Sequence, residues 1–492
     1  MDASNGYLPN PTMMVIAVTV LLLGLAYIYF VAPLAFFKRL GIPGPKPTLM
    51  FGNLLQVGSG EHLLHLQWSQ QYGKIFGLLF GRLPVIFVAD PDMIKAITVK
   101  YSQNFIDRWS ICKPSPPLGL GLFSLNGQAW RRLHNMLLSV FNDAELKLTM
   151  PYITKSSSTL VRKLHQSINH GKVIDLWQYL SPFSMEVILA TSFGIKVSSQ
   201  ENPDQMTHQA RQLYRNYNFR NLMLAILPPT LCNWLDQLFS WNRISYLEQV
   251  LRKAVKERRQ MLKEEHSKTY PDLLQAMLKI QDGDSLTDDE VIGQSIQFLL
   301  TGCETTASAL AFTLYLLAMN PDIQRELRSE IMQRYSINDI MTLDGVAKLK
   351  YLDRVISESL RMYPPTYFYV HQANAETMIN GYVFPKGVGV AIPVYTVHHD
   401  PEFWPEPDNF KPERFETNLN SKQHSHSYLP FGSGPRSCLG AKFALLQIKM
   451  ALIKLLLTFR FYKIDQTEIP LQVKCGLVLS PKNGIYLGIH KL

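Results

Sequence analysis

The chain has 492 residues, 47% of them hydrophobic, with five cysteines and a formal net charge of +10. Cysteines 112, 232, 303, 438 and 475 are scattered, odd in number and without C-x-x-C spacing, which argues against a disulfide framework or a zinc site; no H-E-x-x-H occurs. The basic balance comes without an arginine-rich tract or a nucleic-acid module, so it points to an anionic membrane surface or an acidic protein partner. No composition break, repeat or charged tail follows the first forty-odd residues, and the expected organisation is an N-terminal segment (1–40) followed by one large unit (41–492).

No charged residue occurs between Asp2 and Lys38, and residues 14–37 are almost continuously apolar, long enough to cross a bilayer core. A cleaved signal peptide would carry a basic start, a shorter apolar stretch and a small-residue cleavage site. Here Asp2 opens the segment and Lys38, Arg39 and Lys46 close it. The expectation is a membrane anchor with its N-terminus in the lumen and the remaining chain in the cytosol. The next stretch, Gly41-Ile42-Pro43-Gly44-Pro45-Lys46-Pro47, alternates prolines that restrict φ and remove N–H donors, so it reads as a stiff connector.

Residues 74–98 predict two strands about a turn at Gly81, then a helix opened by Asp90-Pro91-Asp92. From about 127 to 363 the pattern is overwhelmingly helical. Residues 222–239, apolar and broken by Pro228-Pro229, are either ordinary core or an exposed apolar surface. Thr287-Asp288-Asp289-Glu290 is a capping-box start for a helix running to about Met319. Midway along it lies Thr301-Gly302-Cys303-Glu304-Thr305-Thr306. Glycine costs about 1 kcal/mol against alanine in a helix interior, so Gly302 invites a reason: close approach of a flat ligand. The threonine hydroxyls bonding back to carbonyls are expected to open the helix locally. Glu304 is an ionisable group in an apolar run, read as a proton source against the alternative of a polar stripe facing water.

Glu358-Ser359-Leu360-Arg361 places opposite charges at i and i+3 before Tyr363-Pro364-Pro365 ends the helix. Short strands are expected after 376, at 383–385, 388–393 and 484–489, with Phe410-Lys411-Pro412-Glu413-Arg414-Phe415 between them. Then comes the frame from Phe431 to Gly440, F-G-S-G-P-R-S-C-L-G. Two glycines and a proline shape a tight loop before Cys438, Arg436 stands two residues upstream, and an apolar helix follows. A thiolate held near a helix N-terminus is favoured by backbone N–H groups and the dipole. Such a cysteinate can ligate haem iron axially and push electron density toward bound oxygen. A lone cysteine is ordinarily structural, but the spaced set around this one is not ordinary.

The frame F-x-x-G-x-R-x-C-x-G resembles that of the cytochrome P450 superfamily, and nearly the whole chain carries its motifs in order. The resemblance implies a mainly α fold with a small β-rich subdomain and an N-terminal transmembrane helix, with haem b between two long helices and Cys438 as iron ligand. It implies Thr305 and Glu304 as the oxygen-activating and proton-relaying pair, since T-G-C-E-T-T is similar to the family's A/G-G-x-E/D-T-T. Thr301 departs from the usual alanine. It also implies a structural Glu358–Arg361–Arg414 network beneath the haem, and Phe431 packed on the thiolate side. Haem propionates would be held by Arg436, by Trp130 of a W-x-x-x-R element whose arginine is His134 here, by Arg108, and by His371. A lone histidine is often a satisfied core residue, so His134 and His371 keep that alternative. The substrate chamber would be lined by residues near 108–123, 219–240, 297–306, 365–371 and 475–480.

No G-x-G-x-x-G opens a helix after a strand, so NADPH is not bound by that route. Electrons would come from NADPH–cytochrome P450 reductase, with cytochrome b5 as a possible second donor, docking near Arg131, Arg132, Lys422 and Lys442. Local wording looks closest to the microsomal family 3 drug and steroid oxidisers, with thromboxane synthase a near relative. The implied activity is insertion of one oxygen atom from O2 into steroids, xenobiotics or fatty-acid-like molecules at the endoplasmic reticulum membrane. A reductase-independent isomerase of lipid endoperoxides is the first alternative, against which Thr305 argues. A non-enzymatic haem sensor or carrier is the second, and it would have no use for a proton-delivery motif.

Overall fold

The apolar N-terminal segment forms α1 (Pro11–Ala26), in which no residue is buried. Pro33 has no N–H to continue the ladder, and the chain passes through a π turn (Tyr27–Val31) and a 3-10 turn (Ala32–Ala35) into α2 (Phe36–Leu40). The whole stretch Pro11–Leu40 is long and apolar enough to cross a membrane. The computed structural model describes every residue except 1–10, 58–59, 112–113, 170–172, 196–198, 202–228, 264–271, 281–284 and 417–424.

The proline-rich connector is pinned to the body. Pro43 O accepts from Gly77 N at 2.9 Å, and Asn53 and Gln56 donate to Pro45 O and Lys46 O. Gly44 is required there, since a Cβ would lie 2.2 Å from Gly77 O.

After α3 (Glu61–Tyr72), β1 (Ile75–Phe80) and β2 (Leu83–Val88) pair antiparallel as expected. Asp90 then caps α4 (Pro91–Lys95) by accepting from Met93 N at 2.8 Å. The main sheet also takes in β3 (Asp107–Arg108), β5 (Tyr369–Gln372) and β8 (Gly389–Ile392), in the order β1-β2-β8-β5-β3. β2 and β8 run parallel, and the other pairs are antiparallel. Neither β3 nor β5 is legible in the sequence pattern, yet their pairing sets Arg108 directly opposite His371.

The helical body contains α5 (Gly127–Leu138), α6 (Asp143–Asn169), α7 (Trp177–Phe193), α8 (Pro229–Lys263), α9 (Leu273–Leu278) and α10 (Asp288–Met319). It continues through α11 (Pro321–Arg334), α12 (Leu343–Ala347), α13 (Lys350–Met362) and, after the sheet, α14 (Val394–His398) and α15 (Ala441–Thr458). Helix α10 packs most extensively on α7, and both are lined by leucine, isoleucine, valine and phenylalanine of the largest core cluster. Thr287 and Glu290 make the expected reciprocal capping box at its start. Between β5 and β8 lies the hairpin of β6 (Thr377–Ile379) and β7 (Tyr382–Phe384). The chain ends through β9 (Phe459–Tyr462), β10 (Val473–Lys474), β11 (Ser480–Pro481) and β12 (Tyr486–Lys491), and β12 joins β9 to β4 (Ile174–Asp175).

Of the apolar stretch 222–239, residues 222–228 lie outside the described residues. Leu231 and Trp234, on α8, are exposed.

Candidate active site

The loop before α15 is closed by its own backbone. Gly432 N donates to Leu429 O, Ser437 N to Gly434 O, and Cys438 N to Phe431 O at 2.8 Å. Gly434 has φ +73°, and a Cβ on it would lie 2.0 Å from Thr98 O, so only glycine fits. His398 Nε2 takes the Leu429 N–H at 2.7 Å, which anchors the loop's start to α14. Cys438 is thereby held three residues before α15, open on one side. Burial among the loop's atoms raises its thiol pKa, and the Gly440 backbone only partly reverses this. A cation at the sulfur would be needed to hold the thiolate. Phe431 is partly buried against the main core, and its carbonyl orients the cysteine.

Arg436 is buried, and its donors serve the neighbouring segments. Nε donates to Ile106 O at 2.7 Å, Nη1 to Leu122 O at 3.2 Å, and Nη2 to Leu125 O at 2.7 Å and Asn126 Oδ1 at 3.2 Å. Its guanidinium lies 4.1 Å from the centre of the Trp130 ring, which in turn lies 4.7 Å from His134. Of five N–H groups, four bonds leave one on Nη1, so Arg436 is first a clasp for residues 106–126 and only secondarily an anion partner. Burial and the nearby Arg108 charge lower its pKa to about 9. His134, partly desolvated and next to Arg436, is likewise shifted toward the neutral form.

Arg108 donates from Nη2 to Arg436 O at 3.1 Å, while its buried Nη1 has no partner among the described residues. Across the β3–β5 pair, His371 Nδ1 lies 2.7 Å from Phe105 O, which fixes the proton on Nδ1. Its buried Nε2 is also without a partner among the described residues. Burial, with Arg108 next in size, lowers the His371 pKa to about 3. Desolvated cationic and imidazole groups with unmatched buried atoms suit a carboxylate-bearing ligand.

On α10, Thr305 Oγ1 donates to Thr301 O at 2.5 Å and Thr301 Oγ1 to Gln297 O at 2.8 Å. This back-bonding occurs as expected, but the helix is not opened: it runs unbroken for 32 residues. Gly302 also has a reason within the protein itself. A Cβ there would lie 2.7 Å from Ile188 Cδ1, so the glycine serves the packing of α10 on α7. Glu304 and Thr305 are partly buried, whereas Cys303 is buried against Met185.

A sequence profile described as Cytochrome P450 matches residues 42–488. Cytochrome P450 3A17 of Cavia porcellus is 37% identical over 477 residues, covering 94% of each chain. Cytochrome P450 3A13 of Mus musculus is 36% identical and Cytochrome P450 3A5 of Homo sapiens 34% identical, each over 490 residues, covering 97% of this chain and 96% of the relative. The chain belongs to the cytochrome P450 family.

As a cytochrome P450 it is a haem-thiolate monooxygenase, whose chemistry needs haem iron with a cysteine thiolate, a redox partner and a lipophilic substrate. Its donor set fits that group. A thiol lies open at the end of a preformed loop, and a desolvated Arg108–His371–Arg436 cluster lies on the adjoining segment. The expected Glu358–Arg361–Arg414 network is present, with Arg361 Nε to Glu358 Oε2 at 2.7 Å and Arg414 Nε to Glu358 Oε1 at 3.2 Å. The expected docking surface is less simple. Arg132 pairs with Glu290 at 2.6 Å, Lys442 with Asp143 at 2.8 Å, and Arg131 bonds Gln103. Lys422 lies outside the described residues.

Sequence reasoning missed Asn126, which joins the cluster by accepting from both Arg108 N and Arg436 Nη2. It also missed Gln294, and included Gln297 only within the range 297–306, although both, on α10, bond residues 120–123. The available signal was polarity: both glutamines interrupt an otherwise apolar helical run.

Proposed function

We propose that Cys438 is the thiolate ligand of haem b and that the enzyme oxidises lipophilic substrates such as steroids, xenobiotics and fatty-acid-like molecules. The observation that carries this reading is the coincidence of the open Cys438 loop with Arg108 Nη1, on the segment clasped by Arg436, and His371 Nε2 across the β3–β5 pair, both buried and without a partner among the described residues. When bound, the haem supplies activation of O2. The residues of this chain do the rest. Arg108 and Arg436 bring positive charge to the propionates, with Trp130 and His134 behind Arg436. A propionate at His371 Nε2 would favour the imidazolium, because an adjacent anion stabilises the charged form. Phe431 shields the sulfur side. Glu304 and Thr305 hold and move protons on the oxygen side. The Thr305 hydroxyl proton is committed to Thr301 O, so it must rotate off that carbonyl to donate elsewhere. Electrons are supplied from NADPH through a flavoprotein, NADPH–cytochrome P450 reductase, with cytochrome b5 as a second donor. Residues 1–40 anchor the enzyme in the endoplasmic reticulum membrane with the N-terminus lumenal, and residues 41–492 form the cytosolic catalytic unit.

The test is turnover of the membrane-reconstituted protein with and without NADPH and reductase, using a steroid and xenobiotic panel alongside a prostaglandin endoperoxide. Hydroxylated product only with reductant is the expected result. In Thr305→Ala, product formation should fall by about 10²-fold, the scale of a lost general-acid step, while the carbonyl spectrum of the thiolate-ligated haem is kept. Conversion of the endoperoxide alone, without reductant, would replace this reading with an isomerase. In Cys438→Ser the thiolate carbonyl band should vanish, and its survival would move the ligand to another cysteine.

A further inference from the structure

Apart from a 3-10 turn (Leu118–Leu120), residues 118–125 have no regular pairing of their own, so their backbone groups need partners elsewhere. They find them on two sides. Gln294, fully buried on α10, donates from Nε2 to Leu120 O at 2.7 Å and accepts from Leu122 N at 2.8 Å. Gln297 Oε1 accepts from Phe123 N at 2.9 Å. From the cysteine loop, Arg436 takes the carbonyls of Leu122 and Leu125. Two glycines permit this approach. A Cβ on Gly293 would lie 2.4 Å from Pro117 O, and one on Gly121 would lie 2.2 Å from Gln297 Oε1.

The location is as informative as the bonds. Gln297, Thr301 and Thr305 stand at i, i+4 and i+8, hence on one face of α10, and each threonine hydroxyl donates to the carbonyl of the residue four before it. Phe123, held by its N–H, is exposed, and its ring centre lies 5.5 Å from the Arg108 guanidinium. The latched segment thus spans from the threonine face of α10 to the cationic cluster. The buried Gln294 amide is costly unless bonded, and here it is bonded to this segment.

We infer that Gln297, supported by Gln294, is a positioning residue that latches residues 118–125 into a stiff wall of the substrate chamber, and that this wall limits the size of ligand admitted. The inference rests on the haem site proposed above and adds a specificity determinant to it. Breaking the Gln297 bond removes one solvent-accessible hydrogen bond from the closed wall, at the low end of such contributions and equivalent to roughly threefold in its population. Ligands small enough for the closed chamber are unaffected, and bulky ones gain.

The experiment uses the full-length haem-loaded protein and two iron-ligating probes, imidazole and a biphenyl-substituted imidazole, titrated by their Soret shifts. Hydrogen exchange of the Leu122 and Phe123 amides is followed in parallel. In Gln297→Leu, Phe123 exchange should accelerate about threefold, and the dissociation constant of the bulky probe relative to imidazole should fall about threefold. Gly121→Ala should do the same without altering α10, because Gly121 has φ −68° and the new methyl displaces the Gln297 amide. This second variant carries the test if Gln297→Leu does not accumulate. Gln297→Glu keeps both the volume and an acceptor oxygen and should retain the wild-type ratio. Faster exchange with an unchanged ligand ratio overturns the inference, as does unchanged exchange in both latch variants. Absence of a thiolate carbonyl band from the wild-type protein would sink the haem assignment instead, while the exchange data would still report on the latch.

Discussion

Two buried arginines show opposite ways of managing charge. Arg361 is fully buried, and Glu358 answers its charge: Nε and Nη2 donate to the two carboxylate oxygens at 2.7 and 2.9 Å. The remaining donors reach His398 O at 2.9 Å and Pro407 O at 2.7 Å. Glu358 also receives Arg414 and the Lys411 N–H. Arg436, by contrast, meets mainly carbonyls, and Asp107, the carboxylate it pairs with, lies 4.0 Å away. Arg108 beside it adds a second positive charge. The first site is closed by a carboxylate that both Arg361 and Arg414 bond, and it ties α13 to the segment around residues 398–414. In the second, no carboxylate among the described residues lies within hydrogen-bond distance of either arginine, a poor arrangement for stability alone and a good one for an anionic group.

The sharpest way to break this contrast is to open the closed site. Glu358→Ala leaves Arg361 buried without its counter-charge and should cost about 3–5 kcal/mol, read by denaturant or thermal unfolding of the haem-free and haem-loaded protein alike. The open site should respond differently. Arg108→Gln removes one of two like charges, so the haem-free protein should keep its stability, while haem transfer to an acceptor protein should become about tenfold easier with the loss of a charged hydrogen bond. A large loss of haem-free stability would show that Arg108 is structural after all.

His371→Arg sharpens the contrast further by adding a third cation. Haem retention should rise severalfold, and haem-free stability should fall by about 1 kcal/mol, two effects of opposite sign from one substitution. The smallest expected effect concerns the buried histidines of α3 and α14. Burial lowers His62 to about 4 and His65 and His399 to about 3, against an ordinary value of 6.5. The unfolded chain therefore takes up protons first. The stability these groups contribute is complete above about 6.5 and is lost as pH falls through the folded values. Glu61, raised to about 7 by burial, has the opposite sign: its contribution is complete below about 4.5 and is lost as pH rises through 7. Glu61→Gln should flatten the alkaline side of a Tm–pH profile and leave the acid side in place. A profile unchanged on both sides would contradict the assignment.

Several features were readable in the chain because each depends on neighbours in sequence. The capping box at Thr287, the Asp90 cap, the apolar segment 14–37 and the glycine-rich loop before Cys438 are local patterns. The Glu358–Arg361 pair at i and i+3 was equally legible. The two readings of Gly302 show the limit. Glycine in a helix announces a close approach but not what approaches, and Ile188 of α7 lies more than a hundred residues away in sequence. Arg436 shows the same limit. Its charge suggested an anion, and its position next to residues 106–126 turned most of its donors to carbonyls.

By itself, the sequence determined the helical class, the membrane-length apolar helix, the cysteine frame and the threonine motif, because short-range spacing and hydrophobic period are one-dimensional properties. Only the tertiary structure decided that Arg108 faces His371, that Asn126 joins Arg108 to Arg436, and that Gln294 and Gln297 hold residues 120–123. Those contacts join segments 18 to more than 300 residues apart. The physical reason is that a buried polar group must find a partner wherever the packed chain brings one, and no local pattern records which partner that will be.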